Sequence, residues 1–167
     1  MTKARKPTLY WEDFAAGTVR EFGNKTVDRE EVLRFATEFD PQPFHLDDEA
    51  AAAHPMFGRL AASGWHTAAM AMRMMCDNYL LDTASLGSPG LDKVQWVKPV
   101  YPGDVLHMRV TALESRPMSS RPHIGLVKSR SETFARRPDG SEDLVLVTEG
   151  WNMVARRSKP APRDEAS

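Results

Sequence analysis

Hydrophobic positions change their period twice along this chain, and the changes mark its elements. Thr18 to Val27 reads as a first strand, weakened by Gly23 and Asn24. Asp28 stands where an N-cap belongs, with Glu31 at the third helical position in a variant of the capping box. Val32, Leu33, Phe35, Ala36 and Phe39 then give a first helix its apolar face. Pro41 and Pro43 end it, because a residue preceding proline is pushed out of the helical region. Asp47 is placed to cap a short helix through Ala50-Ala51-Ala52-Ala53, stopped before Pro55. Ala61 to Cys76 carries almost no charge and many small side chains, which predicts a helix buried on most sides. Ser63 is its N-cap, Gly64 sits at its first turn, and Asp77, Asn78 and Tyr79 return it to the surface.

Past Gly87-Ser88-Pro89-Gly90 the period becomes two. Val94, Trp96 and Val100 share one face of a strand, and Tyr101-Pro102-Gly103-Asp104 turns into the next. That next strand sets Leu106, Met108, Val110 and Ala112 on one face. Ile124 to Phe134 makes a third, and Leu144 to Val154 a fourth whose nearly continuous apolar start predicts a central position. Arg137-Pro138-Asp139-Gly140 has the residues a tight turn requires. Strands in sequence with short connections predict antiparallel pairing. The long apolar helix needs wrapping, and one twisted antiparallel sheet curled around it meets that need. The expected class is α+β.

A chain of 167 residues holds one respectable core. The domain is expected over residues 9–156, between a flexible start (1–8) and a disordered polar tail (157–167). Hydrophobic content of 41% and charged content of 27% are ordinary for a soluble globular protein. A net charge of -1 offers no general attraction to nucleic acid or to an anionic membrane, so neither is an expected partner. The single cysteine, Cys76, rules out an internal disulfide, fits a reducing compartment and reads as a small buried hydrophobe. The basic start leads into no apolar run, and Arg73 interrupts the best candidate span, so the expectation is a cytoplasmic protein. No His, Cys or carboxylate spacing points to a metal site, and none is expected.

The chemistry concentrates in Phe39-Asp40-Pro41-Gln42-Pro43-Phe44-His45-Leu46-Asp47. A carboxylate and an imidazole stand five residues apart on a segment that two prolines stiffen. Asp and His are suited to sharing or relaying a proton near neutral pH. The plainer alternative is a proline-rich turn with a capping Asp and a surface His.

Three pieces, in order, carry a resemblance. They are Asp40-Pro41-Gln42-Pro43-Phe44-His45-Leu46-Asp47, then Phe57-Gly58-Arg59-Leu60-Ala61-Ala62-Ser63-Gly64, then Val94-Gln95-Trp96-Val97-Lys98-Pro99-Val100-Tyr101-Pro102-Gly103-Asp104. Together they resemble the MaoC-like dehydratases and (R)-specific enoyl-CoA hydratases of the hot-dog fold, across about residues 9–156. The first piece is similar to the family's Gly-Asp-x-Asn-Pro-(aliphatic)-His signature, but Phe39 replaces the glycine and Gln42 the asparagine. Ser63 stands where the family often has a histidine.

The resemblance implies addition or removal of water across the double bond of an acyl-CoA thioester, with Asp40 and His45 holding the water between them. It implies no cofactor beyond the coenzyme A that the substrate carries, and a homodimer or higher homo-oligomer. Gly64, at a helix N-terminus with no side chain in the way, is the candidate oxyanion donor, against close helix packing as the plainer reading. Ser63 and Trp65 join it as substrate-binding candidates, and Gln42 as the residue that orients the loop or the water. Trp65, Met70 and Phe44 are candidate walls of an acyl tunnel. Arg59, Lys98, Arg121 and Lys128 are candidates for the coenzyme A phosphates. His66 is a possible pocket residue, whereas His54, His107 and His123 read as loop or surface positions. A hot-dog acyl-CoA thioesterase and a non-catalytic acyl-CoA-binding module are the competing readings.

Overall fold

The computed structural model describes residues 6–157, so most of the expected flexible start and polar tail lie outside the described residues. The chain forms β1 (Val19–Thr26), α1 (Arg29–Phe39), α2 (Asp48–Ala53), α3 (Gly64–Asn78), β2 (Gly90–Trp96), β3 (Val105–Pro117), β4 (Ile124–Arg136) and β5 (Glu142–Ala155). The helices begin where capping chemistry places them. Asp28 and Asp47 accept the N–H groups of Glu31 and Ala50, each at 2.8 Å. Gly23 and Asn24 coincide with a bulge in β1 between Phe22 and Lys25.

All five strands are antiparallel, in the order β1-β3-β4-β5-β2. β4 occupies the middle, and β5 lies inside the edge strand β2, with Val145, Leu146 and Val147 all buried. The strands after Gly90 therefore do not pair in simple succession. β2 pairs with β5 (Trp96 opposite Leu146), while β3 pairs with β1 (Val19 opposite Thr111).

The reason lies in the connection between β2 and β3. Pro99 and Pro102 remove two backbone donors, and the corner is stitched to other elements instead of closing a hairpin. Val27 N–H donates to Asp104 O at 2.8 Å, and Gly103 N–H returns to Val27 O at 2.9 Å. Gly103 holds φ at +93°, a conformation that favours glycine. The Asp104 carboxylate, fully buried, accepts from Tyr101 N–H at 2.8 Å and from the Arg137 guanidinium. This Pro-Gly-Asp corner clamps the end of β1 and the β4–β5 turn to the start of β3. Val100 packs in the core just outside the strand.

The sheet curves around α3, the hot-dog arrangement. Leu106, Met108 and Val110 on β3 meet Met70, Ala71 and Met74 on α3 in the main core, as the period-two pattern requires. A second cluster joins Phe14, Tyr79, Ala112, Val127 and Val154. Tyr79 is thus a buried residue and not a return to the surface, and burial pushes its phenol up to about 12. Phe39 departs from its expected place on the buried face of α1: it is 64% exposed, in ring contact with Phe35.

Nor is α3 covered on every side. Trp65 and Met72 are 62% and 50% exposed, on the side that faces the unpaired edge of β2. Among the described residues no helix is long and apolar enough to cross a membrane.

Candidate active site

Asp40 is the residue at which α1 stops. Its N–H still bonds Ala36 O at 2.9 Å, but its backbone has left the helical region ahead of Pro41. Pro43 opens a single 3₁₀ turn, Pro43–His45, that swings His45 back toward the carboxylate. The two prolines thus set the distance between the groups. His45 Nε2 lies 3.5 Å from Asp40 Oδ2.

Each partner is held from behind. His45 Nδ1 meets Ala61 O at 2.8 Å. A carbonyl only accepts, so Nδ1 carries the proton, and in the neutral ring Nε2 keeps its lone pair toward Asp40. The rings of Phe44 and Phe57, 4.6 and 5.6 Å away, pack against the imidazole and leave it buried. Asp40 receives one donor on each oxygen: Gln42 Nε2 on Oδ1 and Ser63 Oγ on Oδ2, both at 2.7 Å. Partial burial would push this carboxyl up. The hydrogen bonds from Ser63 and Gln42, with His45 nearby, outweigh it and hold the pKa below the ordinary value. Asp40 is therefore a carboxylate at neutral pH.

The pair opens on a cleft of about 400 Å³, lined also by Gly64, Trp65, Thr67, Trp96 and Lys98. Gly64 is the first residue of α3, so its N–H has no carbonyl partner one turn back. The absence of a side chain is a steric necessity, since a Cβ there would fall 2.6 Å from Trp96 Nε1. Gly64 thus combines close packing against Trp96 with a place on the cleft wall.

Other expected residues divide. Gln42, Phe44 and Trp65 line the cleft. Ser63 does not: fully buried, it sits behind the carboxylate, donating to Asp40 and accepting Trp65 N–H at 3.2 Å. That is the capping position expected for Ser63 at the start of α3. Met70 is core and His66 lines a different hollow, beside Glu31, Phe35 and Arg73, because α3 turns those positions toward α1. Arg121 lies at the β3–β4 turn and Lys128 pairs with Asp92 at 3.5 Å, both away from the cleft. His54 and His123 lie outside strands and long helices, as expected. His107 is partly covered, with Nε2 2.7 Å from Glu142 Oε2 and its ring stacked on Phe134.

Two participants escaped sequence reasoning. The Ala61 carbonyl is backbone chemistry that no side-chain motif signals. Trp96 reaches Gly64 only because β2 crosses to the far edge of the sheet.

Known proteins share this fold. A family model described as the MaoC like domain matches residues 13–132. The solved MaoC-like dehydratase from Rhodospirillum rubrum is 39% identical, with a TM-score of 0.80 over 90% of this chain and 99% of that one. YdeM of Bacillus subtilis, an uncharacterized protein, is 28% identical over 126 residues, which is 75% of this chain and 87% of that one. The R-hydratase PhaJ1 from Pseudomonas aeruginosa, 19% identical, shares the fold at a TM-score of 0.68 over 95% and 96% of the two chains. With the family model spanning most of its length, the chain belongs to the MaoC-like domain family.

Proposed function

We propose that this protein is an (R)-specific enoyl-CoA hydratase, or 3-hydroxyacyl-CoA dehydratase in the reverse direction, and that Asp40 and His45 carry the reaction. One observation supports this above the rest. An imidazole nitrogen and a carboxylate oxygen face each other across 3.5 Å at the wall of an open cleft, beside the N–H of the first residue of α3. A single water reaches both groups. In hydration its oxygen bonds C3 of the enoyl thioester while its proton passes to His45 Nε2. Nε2 then returns that proton to C2 on the same face, so a water O–H bond and the C2–C3 π bond are exchanged for O–C3 and C2–H bonds. Asp40 accepts the water's other hydrogen and stabilises the transient imidazolium. Gly64 N–H, at the positive end of α3, receives the charge that builds on the thioester oxygen. The chemistry needs no cofactor beyond the substrate's own coenzyme A. The R-hydratase PhaJ1 is a fold relative whose stated activity agrees with this reading.

The working unit in this proposal is a homodimer. β2 is an edge strand with Leu91 and Trp96 exposed, and the uncovered side of α3 lies beside it. A second copy adding its own β2 would satisfy the edge and cover that apolar strip.

Loss of the conjugated enoyl absorbance of crotonyl-CoA tests the activity. Asp40→Asn and His45→Gln should fold normally and lose turnover by roughly two to four orders of magnitude. Wild-type turnover in either variant rules out the pair. Release of free thiol in place of hydration identifies a thioesterase, and binding without turnover a carrier module.

A further inference from the structure

A hollow of about 470 Å³ borders the cleft, and Lys98 and Pro99 line both. Its remaining walls bring together Arg59, Tyr101, Arg137, Asp139 and Asp143. Most of these charges are engaged. Lys98 pairs with Asp143, Arg137 bridges Asp104 and Asp143, and Asp139 accepts the Ser141 hydroxyl at 2.6 Å. Arg59 is different. It is exposed and belongs to none of the ion pairs among the described residues that line this hollow.

Yet Arg59 is held in place. Its guanidinium carbon sits 3.9 Å from the centre of the Tyr101 ring. Tyr101 in turn donates its hydroxyl to Phe57 O at 2.9 Å, tying this ring to the loop whose Phe57 packs on His45. A guanidinium resting over an aromatic face keeps its N–H edge free for an anion, and Arg matches phosphate with two parallel hydrogen bonds. The position is therefore prepared for an anion just outside the cleft, on the side that Lys98 flanks.

We propose that Arg59 binds the phosphate of the phosphopantetheine arm that delivers the acyl thioester. The inference rests on the thioester reading above and extends it. An acyl group seated at Asp40 and His45 leaves its pantetheine arm running out past Lys98 and Pro99. The first charged group along that arm is a phosphate, whether coenzyme A or a carrier protein supplies it.

Two measurements test it. The first compares kcat/KM for crotonyl-CoA and crotonyl-pantetheine, which lacks the phosphates, in the wild type, Arg59→Ala and Arg59→Lys. The ratio should fall about tenfold in Arg59→Ala, through KM, and recover most of the way in Arg59→Lys. A fall confined to a crotonyl carrier-protein substrate would assign the phosphate to that source. No preferential loss on either phosphate-bearing substrate overturns the proposal. The second measurement needs no turnover: calorimetric binding of phosphopantetheine against pantetheine. The phosphate should tighten binding in the wild type and not in Arg59→Ala, and equal behaviour in the two proteins overturns the proposal. A wild type inert on every enoyl thioester defeats the hydratase reading, while the binding measurement still decides the fate of Arg59.

Discussion

Ser63 Oγ donates to Asp40 Oδ2 across 2.7 Å, and the same oxygen accepts the N–H of Trp65 at 3.2 Å. One hydroxyl thus caps α3 and steadies the carboxylate at which α1 ends. The helix that offers Gly64 and the helix that offers Asp40 are coupled through this atom, so their spacing is not left to loop packing.

Ser63→Ala should therefore have two effects. Loss of the cap costs about 0.5–2 kcal/mol of stability. Loss of a donor also raises the Asp40 pKa, because burial is then less fully offset. A depressed carboxylate contributes stability above its ordinary 3.8 that disappears as pH falls through the lower folded value, so the variant gains less there. In kinetics the acidic limb of the hydration profile should move to higher pH, and Ser63→Thr should restore it. An unmoved limb would show that Asp40 does not depend on this hydroxyl.

Gly64→Ala places a methyl 2.6 Å from the Trp96 indole nitrogen. The ring must shift, at a cost of about 1–3 kcal/mol. Adding Trp96→Ala should recover most of the melting temperature without recovering turnover, since the indole also walls the cleft. Full stability in the single variant would mean that the ring moves freely.

Arg137→Met strands the buried Asp104 carboxylate. Breaking a buried pair from one side costs about 3–5 kcal/mol, and chemical denaturation would read it. The double variant with Asp104→Asn should be less destabilised than Arg137→Met alone, because no buried charge remains. A loss under about 1 kcal/mol in the single variant would show that the corner is not held by this pair.

His66 provides a pH signature away from the cleft. Burial lowers its pKa; Glu31, with Oε1 3.7 Å from Nε2, pulls the other way, while Lys25 and Arg34 add to the lowering. A base depressed in the folded state adds stability that is complete above its ordinary 6.5 and fades as pH falls below that value. The melting temperature should drop between about pH 7.5 and pH 5.5, and less steeply in His66→Gln. Parallel profiles for the two proteins would remove His66 as the cause.

The proposed homodimer is checked by light scattering. Leu91→Lys puts a charge on the exposed edge of β2 and should shift the mass toward the monomer. An unchanged dimer would place the interface elsewhere.

Local chemistry made much of this protein legible in one dimension. Asp28, Asp47 and Ser63 announced three helix starts because a cap is a matter of neighbouring residues. The alternation of Leu106, Met108, Val110 and Ala112 announced the buried face of β3, since strand geometry has a period of two. Two prolines within the span from Asp40 to His45 announced a turn able to bring them together. Other outcomes depend on contacts between segments far apart in the chain, and no local pattern encodes them. β2 joins β5 because the Pro-Gly-Asp corner is bound to Val27 and Arg137. Tyr79 is buried by Phe14 and Phe22, Phe39 stays 64% exposed despite its contact with Phe35, and His45 owes its tautomer to the Ala61 carbonyl. Propensity and capping act over a few residues, whereas strand order and the orientation of a catalytic candidate are settled by whatever the whole fold brings alongside.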